Sequence, residues 1–61
     1  MKNSIKMLRA KHNLTQEDLA QKVNVTRQTI LAIERGKYPP SLPLALAIAK
    51  VFNTPVEEIF Q

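Results

Sequence analysis

The sequence predicts an all-α fold of five short helices. Apolar residues recur at the three- and four-residue spacing of helix faces, and no stretch alternates apolar and polar residues long enough to indicate a strand. Four of the five predicted helices begin after a Ser or Thr, which are common helix N-caps. Because 61 residues are enough for one small core, we expect a single domain over residues 1–61.

Composition narrows the possible functions. The chain has no cysteine and a single histidine, His12, so we expect no disulfide, no metal site and no cofactor. Nine Lys and Arg against five Asp and Glu give a net charge of +4, which favours a polyanionic partner. The longest largely apolar stretch, residues 42–49, is far shorter than the roughly 20 residues of a membrane span. A cytoplasmic protein without membrane contact is therefore expected.

The first predicted helix covers about residues 3–12. Ile5, Leu8 and Arg9 share one of its faces at i, i+3 and i+4. Asn13 is expected to end this helix in the left-handed conformation, which Asn tolerates better than most residues.

The second predicted helix begins after Thr15 and runs to Val23. Thr15 is its N-cap, and Asp18 stands three residues later, where it can complete a capping box. Ala20 falls where a steeply crossing neighbour would approach most closely. Asn24 then makes the turn to the next helix, since a tight turn of this kind needs a residue with positive φ.

The third predicted helix begins after Thr26 and reaches residue 34 or 35. Ile30 and Ile33 form its apolar face, which matches the face of the second helix. Gly36 supplies the left-handed residue that ends it. Two short helices joined by a tight turn must therefore pack against each other.

The last two predicted helices follow a stiff connector at residues 38–40, which contains two prolines. Ser41 caps the fourth helix, which extends to about Phe52. Thr54 repeats the start signal as an N-cap, and the fifth helix is expected to end at Phe60.

With these elements in place, the chain resembles the phage repressor and Cro-type helix-turn-helix family, also called the xenobiotic-response-element family of bacterial regulators. Several sequence blocks carry the resemblance: 14–20, 25–30, 33–37, 40–42 and 48–49. Asn13 and Asn24 stand where the family usually has Gly. Both departures are compatible with the fold, because Asn tolerates the left-handed conformation.

The resemblance implies a compact five-helix, lambda-repressor-like DNA-binding domain. Its helix-turn-helix would occupy approximately residues 16–35 and consist of the second and third helices. The third helix would enter the DNA major groove while the second crosses the phosphate backbone.

The resemblance also suggests which residues face DNA. Candidate base-contacting residues lie on the outward face of the third helix: Arg27, Gln28, Leu31 and Ala32. Candidate phosphate-contacting residues lie around it: Gln16, Thr26, Arg35, Lys37 and Tyr38. Arg and Gln suit bidentate reading of guanine and adenine, although Arg27 could instead bind phosphate. For each of these residues, the alternative is a solvated surface position.

Arg9 and Glu34 each lie beside an apolar face, and we expect them to form an ion pair between the first and third helices. Its role would be structural. The remaining acids and hydroxyls are explained as caps, and no catalytic spacing is present. No enzymatic activity is expected.

The fourth helix has almost no polar face, which is unusual for an outer helix of a small monomer. The plain explanation is that its apolar residues coat a small core, with some left exposed. We instead predict a homodimer interface. Its candidate residues are Leu46, Val56, Ile59 and Phe60.

The sequence therefore predicts a sequence-specific regulator that binds double-stranded DNA, a homodimeric repressor of a palindromic operator. No small-molecule ligand is expected. The alternative is an antitoxin or protein-interaction adaptor that uses the apolar surface of the fourth and fifth helices.

Overall fold

A computed structural model describes residues 2–61 and confirms the predicted all-α fold. The five helices of this described part are α1 Ile5–Lys11, α2 Gln16–Lys22, α3 Arg27–Glu34, α4 Leu42–Phe52 and α5 Val56–Ile59. None of them, within residues 2–61, combines the length and apolarity needed to cross a bilayer.

Three of the predicted N-caps are present. The Thr15 hydroxyl accepts a hydrogen bond from the Asp18 backbone N–H at 2.9 Å, and the Asp18 carboxylate accepts one from the Thr15 N–H at 2.9 Å, which completes the capping box. The hydroxyls of Thr26 and Ser41 likewise accept from the backbone N–H three residues on, at 3.2 and 3.3 Å, and cap α3 and α4 without the reciprocal bond of a capping box. Local side-chain chemistry therefore sets the start of three helices.

Left-handed residues make the turns. Asn13, Asn24 and Gly36 have φ values of 59°, 61° and 73°, as predicted. Asn53 also has a positive φ, 51°, and ends α4. The sequence interpretation did not single out Asn53, although it has the same residue type as the other two turns.

One aliphatic core holds the helices together. Its six largest fully buried side chains are Ile5, Leu19, Ile30, Ile33, Ile48 and Ile59. Ala20 is 1% exposed, in keeping with its predicted place between α2 and α3, which pack against each other. Each of the five helices contributes buried side chains to this core. Because the core is closely packed, it fixes the orientation of the outward faces of α2 and α3.

The start of α5 differs from the prediction. The helix begins at Val56 with Pro55 at the N-cap position and without a side-chain cap, so Thr54 is not its N-cap. The Thr54 hydroxyl instead donates to the Phe52 carbonyl at 3.0 Å. The helix ends at Ile59, one residue earlier than expected, because Phe60 is extended and forms an antiparallel bridge with Asn3.

Candidate nucleic-acid interface

The outward face of α3 carries Arg27 and Gln28. Both side chains are exposed, whereas Ile30 and Ile33 on the same helix are 0% and 1% exposed. The two exposed residues occupy the first turn, directly after the Thr26 cap. The buried face therefore holds two long polar side chains outward at the N-terminal end of the helix.

Leu31 and Ala32 lie further along α3 and are half-buried. Leu31 lines a surface hollow together with Gln16 and Arg35. The structure thus brings the candidate base-contacting residue Leu31 close to two candidate phosphate-contacting residues, Gln16 at the start of α2 and Arg35 at the C-cap of α3.

The predicted ion pair between α1 and α3 is present. Arg9 Nε lies 2.6 Å from Glu34 Oε2, and Arg9 Nη2 donates to Oε1 at 3.2 Å. A third guanidinium nitrogen, Nη1, donates to the Leu14 carbonyl at 3.1 Å. The side chains are 15% and 8% exposed, so water only partly screens the pair.

Gln16 joins the same cluster, which the sequence interpretation did not predict. Its Nε2 donates to Glu34 Oε1 at 3.1 Å. A glutamine amide has two N–H donors, so one remains for an external acceptor after this bond is made. The two residues are 18 positions apart in the chain, so no local sequence pattern predicts that they come into contact.

Arg35, Lys37 and Tyr38 follow α3 and are all exposed. Tyr38 retains 46% of its accessible surface. The Lys37 backbone N–H donates to the Ala32 carbonyl at 3.0 Å. This bond fixes the path of the backbone where it leaves the helix after Gly36. The chain therefore presents three exposed polar side chains directly after the C-terminal end of α3.

The candidate dimer residues do not share one environment. Leu46 is 53% exposed, and Val56 and Phe60 are half-buried. Ile59 is 0% exposed because it packs in the chain's own core, so its prediction as an interface residue is wrong.

An apolar hollow of about 260 Å³ lies between α4 and α5. It is lined by Pro40, Leu42, Ala45, Val56 and Phe60. The sequence interpretation did not include Leu42, which is 67% exposed. Leu42 and Leu46 lie one turn apart on α4, so they share a face beside this hollow.

Comparison with known proteins places this geometry in a family. A family model described as helix-turn-helix matches residues 5–59. An uncharacterized HTH-type transcriptional regulator of Methanocaldococcus jannaschii is 65% identical over 60 residues, which cover 98% of this chain and 91% of that protein. A transcriptional repressor of the cryptic phage CTXphi from Vibrio cholerae is 33% identical over 57 residues, covering 93% of this chain and 51% of the repressor.

A solved structure shows the same arrangement of helices. The crystal structure of the restriction-modification controller protein C.AhdI from Aeromonas hydrophila superposes with a TM-score of 0.82 at 30% identity. The match covers 92% of this chain and 85% of the controller protein. The chain therefore belongs to the helix-turn-helix family of phage repressor and Cro type, and it is a transcriptional regulator with a helix-turn-helix DNA-binding fold.

Proposed function

We propose that the protein is a homodimeric repressor that reads a palindromic operator through the DNA major groove. The observation that carries this proposal is the exposed Arg27–Gln28 pair in the first turn of α3, a helix whose Ile30 and Ile33 are buried in the core. An α-helix fits the major groove, and readout by a helix-turn-helix uses the N-terminal residues of its second helix.

In this proposal, Gln28 reads an adenine through two hydrogen bonds, and Arg27 reads a guanine or binds a nearby phosphate. Leu31 and Ala32 contact thymine methyl groups, since both are apolar and lie further along the same helix. Recognition of the DNA sequence then depends on the types and positions of these side chains and involves no covalent chemistry.

The residues around α3 hold the duplex in position. Gln16 offers its second amide N–H to a phosphate, and Arg35, Lys37 and Tyr38 bind the backbone beyond the far end of the helix. Thr26 lies at the start of α3 and completes the proposed phosphate contacts. Such contacts orient the protein without distinguishing bases.

A second copy of the chain is proposed to cover the apolar hollow between α4 and α5. Leu42 and Leu46 on the adjoining face are 67% and 53% exposed, which is a large apolar surface for so small a domain. A two-fold axis through this surface would relate the two α3 helices, and the operator would share that symmetry.

The repressor role is supported by the similarity to the phage repressor of Vibrio cholerae. Binding over a promoter would block transcription by occlusion, and the protein would act in the cytoplasm, where the DNA is. The alternative is an antitoxin or adaptor that uses the exposed Leu42 and Leu46 to bind a different protein.

Selection of DNA from a random pool by the purified protein tests the proposal. We expect a palindromic consensus, and we expect added protein to reduce transcription from a promoter that contains it. A pool without enrichment would overturn sequence-specific binding. A single unrepeated half-site would overturn the dimeric mode, and increased transcription would replace the repressor role with activation.

A further inference from the structure

A hollow of about 330 Å³ lies between α1, the beginning of α2 and the end of α3. Its lining residues are Lys6, Arg9, Gln16, Leu31, Glu34 and Arg35. Gln16, Leu31 and Arg35 already belong to the proposed DNA surface. Lys6 on α1 has no role in that proposal, although it lies beside the same hollow.

The charges around this hollow do not cancel. Arg9 pairs with Glu34, the one carboxylate in the lining, at 2.6 Å. Lys6 and Arg35 are exposed, and neither has a salt-bridge partner within residues 2–61. The hollow therefore presents two uncompensated positive charges to an incoming group.

Glu34 would repel an anion if its oxygens were free, but both are occupied. Oε2 accepts from Arg9, and Oε1 accepts from Arg9 and from Gln16. Pairing with Arg9 offsets the negative charge of Glu34. Lys6, Arg35 and the second Gln16 amide N–H remain as donors among the residues that line the hollow.

We propose that Lys6 binds a DNA phosphate seated in this hollow, which makes α1 a third DNA-contacting helix beside α2 and α3. The phosphate accepts from the Lys6 ammonium, the Arg35 guanidinium and the remaining Gln16 amide N–H. This inference rests on the proposed function and adds to it a contact from outside the helix-turn-helix.

The fold holds Lys6 in place for this contact. Lys6 and Arg9 are three residues apart on α1, so they lie on neighbouring positions of one face. Arg9 ties that face to Glu34 of α3. The α1 backbone at Lys6 is therefore held in a fixed position relative to α3, and the exposed Lys6 side chain extends from this fixed point.

The test is the salt dependence of DNA binding by Lys6→Gln, measured on the selected duplex and on a duplex of unrelated sequence. Loss of one phosphate contact should reduce the magnitude of the log-affinity versus log-salt slope by about 0.9 for each bound protomer. The ratio of affinities for the two duplexes should not change. Lys6→Arg should retain the wild-type slope, because the charge is kept.

Lys50→Gln is the matched control, since it removes the same charge from an exposed position on α4. We expect a smaller slope change in this variant than in Lys6→Gln. Equal slope changes in the two variants, or a wild-type slope in Lys6→Gln, would overturn the assignment. If the wild type bound both duplexes equally, the proposed sequence-specific function would fail, and the slope comparison on either duplex would still decide the role of Lys6.

Discussion

Arg9 Nε and Glu34 Oε2 lie 2.6 Å apart and connect α1 to α3. The same carboxylate accepts a hydrogen bond from Gln16 at the beginning of α2. One acidic side chain therefore joins three helices at the edge of the proposed DNA surface. Its removal should affect both the stability of the domain and the placement of Gln16.

Glu34→Leu should lower the free energy of unfolding by about 1–3 kcal/mol, because Arg9 is left without its anionic partner. The loss should fall short of that for a fully buried pair, since Arg9 is 15% exposed. Urea denaturation measures it. The double variant Arg9→Met/Glu34→Leu should recover part of the loss, whereas additive losses from the two single variants would contradict the pairing.

The capping box of α2 predicts a pH-dependent stability. The Thr15 backbone N–H donates to the Asp18 carboxylate and lowers the pKa of Asp18, with smaller contributions in the same direction from the Thr15 hydroxyl and Lys22. The folded state thus favours the charged carboxylate. Its contribution is present above the ordinary aspartate pKa and is lost as the pH falls through the lowered value.

Asp18→Ala should therefore reduce the melting temperature at pH 7. The difference from the wild type should shrink as the pH falls below the ordinary aspartate pKa of about 4 toward the lowered pKa of Asp18, because the unfolded chain then binds a proton that the folded carboxylate does not. Thermal unfolding followed by circular dichroism between pH 2 and pH 7, the range over which an aspartate titrates, measures both effects. A difference that stays constant over this range would rule out the charged form of Asp18 as its source.

Local signals explain why much of the fold could be predicted. The hydroxyls of Thr15, Thr26 and Ser41 accept hydrogen bonds from amides three residues away. Asn13 and Asn24 have positive φ angles, which Asn tolerates better than most residues. Both features depend on short segments and can therefore be predicted from sequence. The candidate readout residues Arg27 and Gln28 could be placed outward because Ile30 and Ile33 define the buried face of α3 and neither Arg27 nor Gln28 belongs to it.

Non-local contacts explain what could not be predicted. Ile59 is buried because α5 packs into the core, and the Ser4 N–H donates to the Ile59 carbonyl at 2.9 Å, which joins the end of the chain to its beginning. Thr54 resembles an N-cap in sequence, but its hydroxyl bonds back to Phe52 beyond the left-handed Asn53. The bond from Gln16 to Glu34 depends on how α2 and α3 cross.

Asn24→Ala should destabilise the domain by about 1–2 kcal/mol, because φ at this position is 61° and a β-carbon without a compensating polar group disfavours it. Asn24→Gly should stay within a few tenths of the wild type, since Gly adopts this conformation without steric cost. Parallel urea titrations of the two variants check the prediction. Equal stabilities for Ala and Gly at position 24 would show that the left-handed turn does not control folding.

Gln28→Ala and Arg27→Ala should each relax specificity at one or two base positions. The expected loss of discrimination is about 1–3 kcal/mol for each bidentate contact. Both side chains are exposed, so thermal stability should not change. Competition binding between the selected site and its single-base variants measures the loss.

Lys37→Ala is the comparison for these two variants, because a phosphate contact should weaken binding to all sequences by a similar factor. It should also reduce the magnitude of the salt slope by about 0.9 per bound protomer. If Gln28→Ala and Arg27→Ala kept the wild-type ratio between selected and random DNA, base reading by α3 would be wrong.

The proposed dimer surface is best tested at Leu46, which is 53% exposed on α4. Leu46→Glu would place a charge in the interface and should shift the protein toward monomer, with much weaker binding to the full operator but unchanged binding to a half-site. Phe60→Glu is less informative, because Phe60 packs against the core. Met7→Glu is the control for the oligomeric state, since Met7 is 63% exposed on α1 and does not line the hollow between α4 and α5.

Sedimentation equilibrium and operator binding together decide whether a second copy covers this surface. In a two-fold dimer the two α3 helices must lie about 34–36 Å apart to reach successive major grooves on one face of B-DNA. Inserting five base pairs between half-sites should then abolish cooperative binding, because it turns one half-site by about half a helical turn. A wild type that stays monomeric at tens of micromolar, roughly the range of a weak dimer, and that tolerates this insertion would leave a different protein as the partner of Leu42 and Leu46.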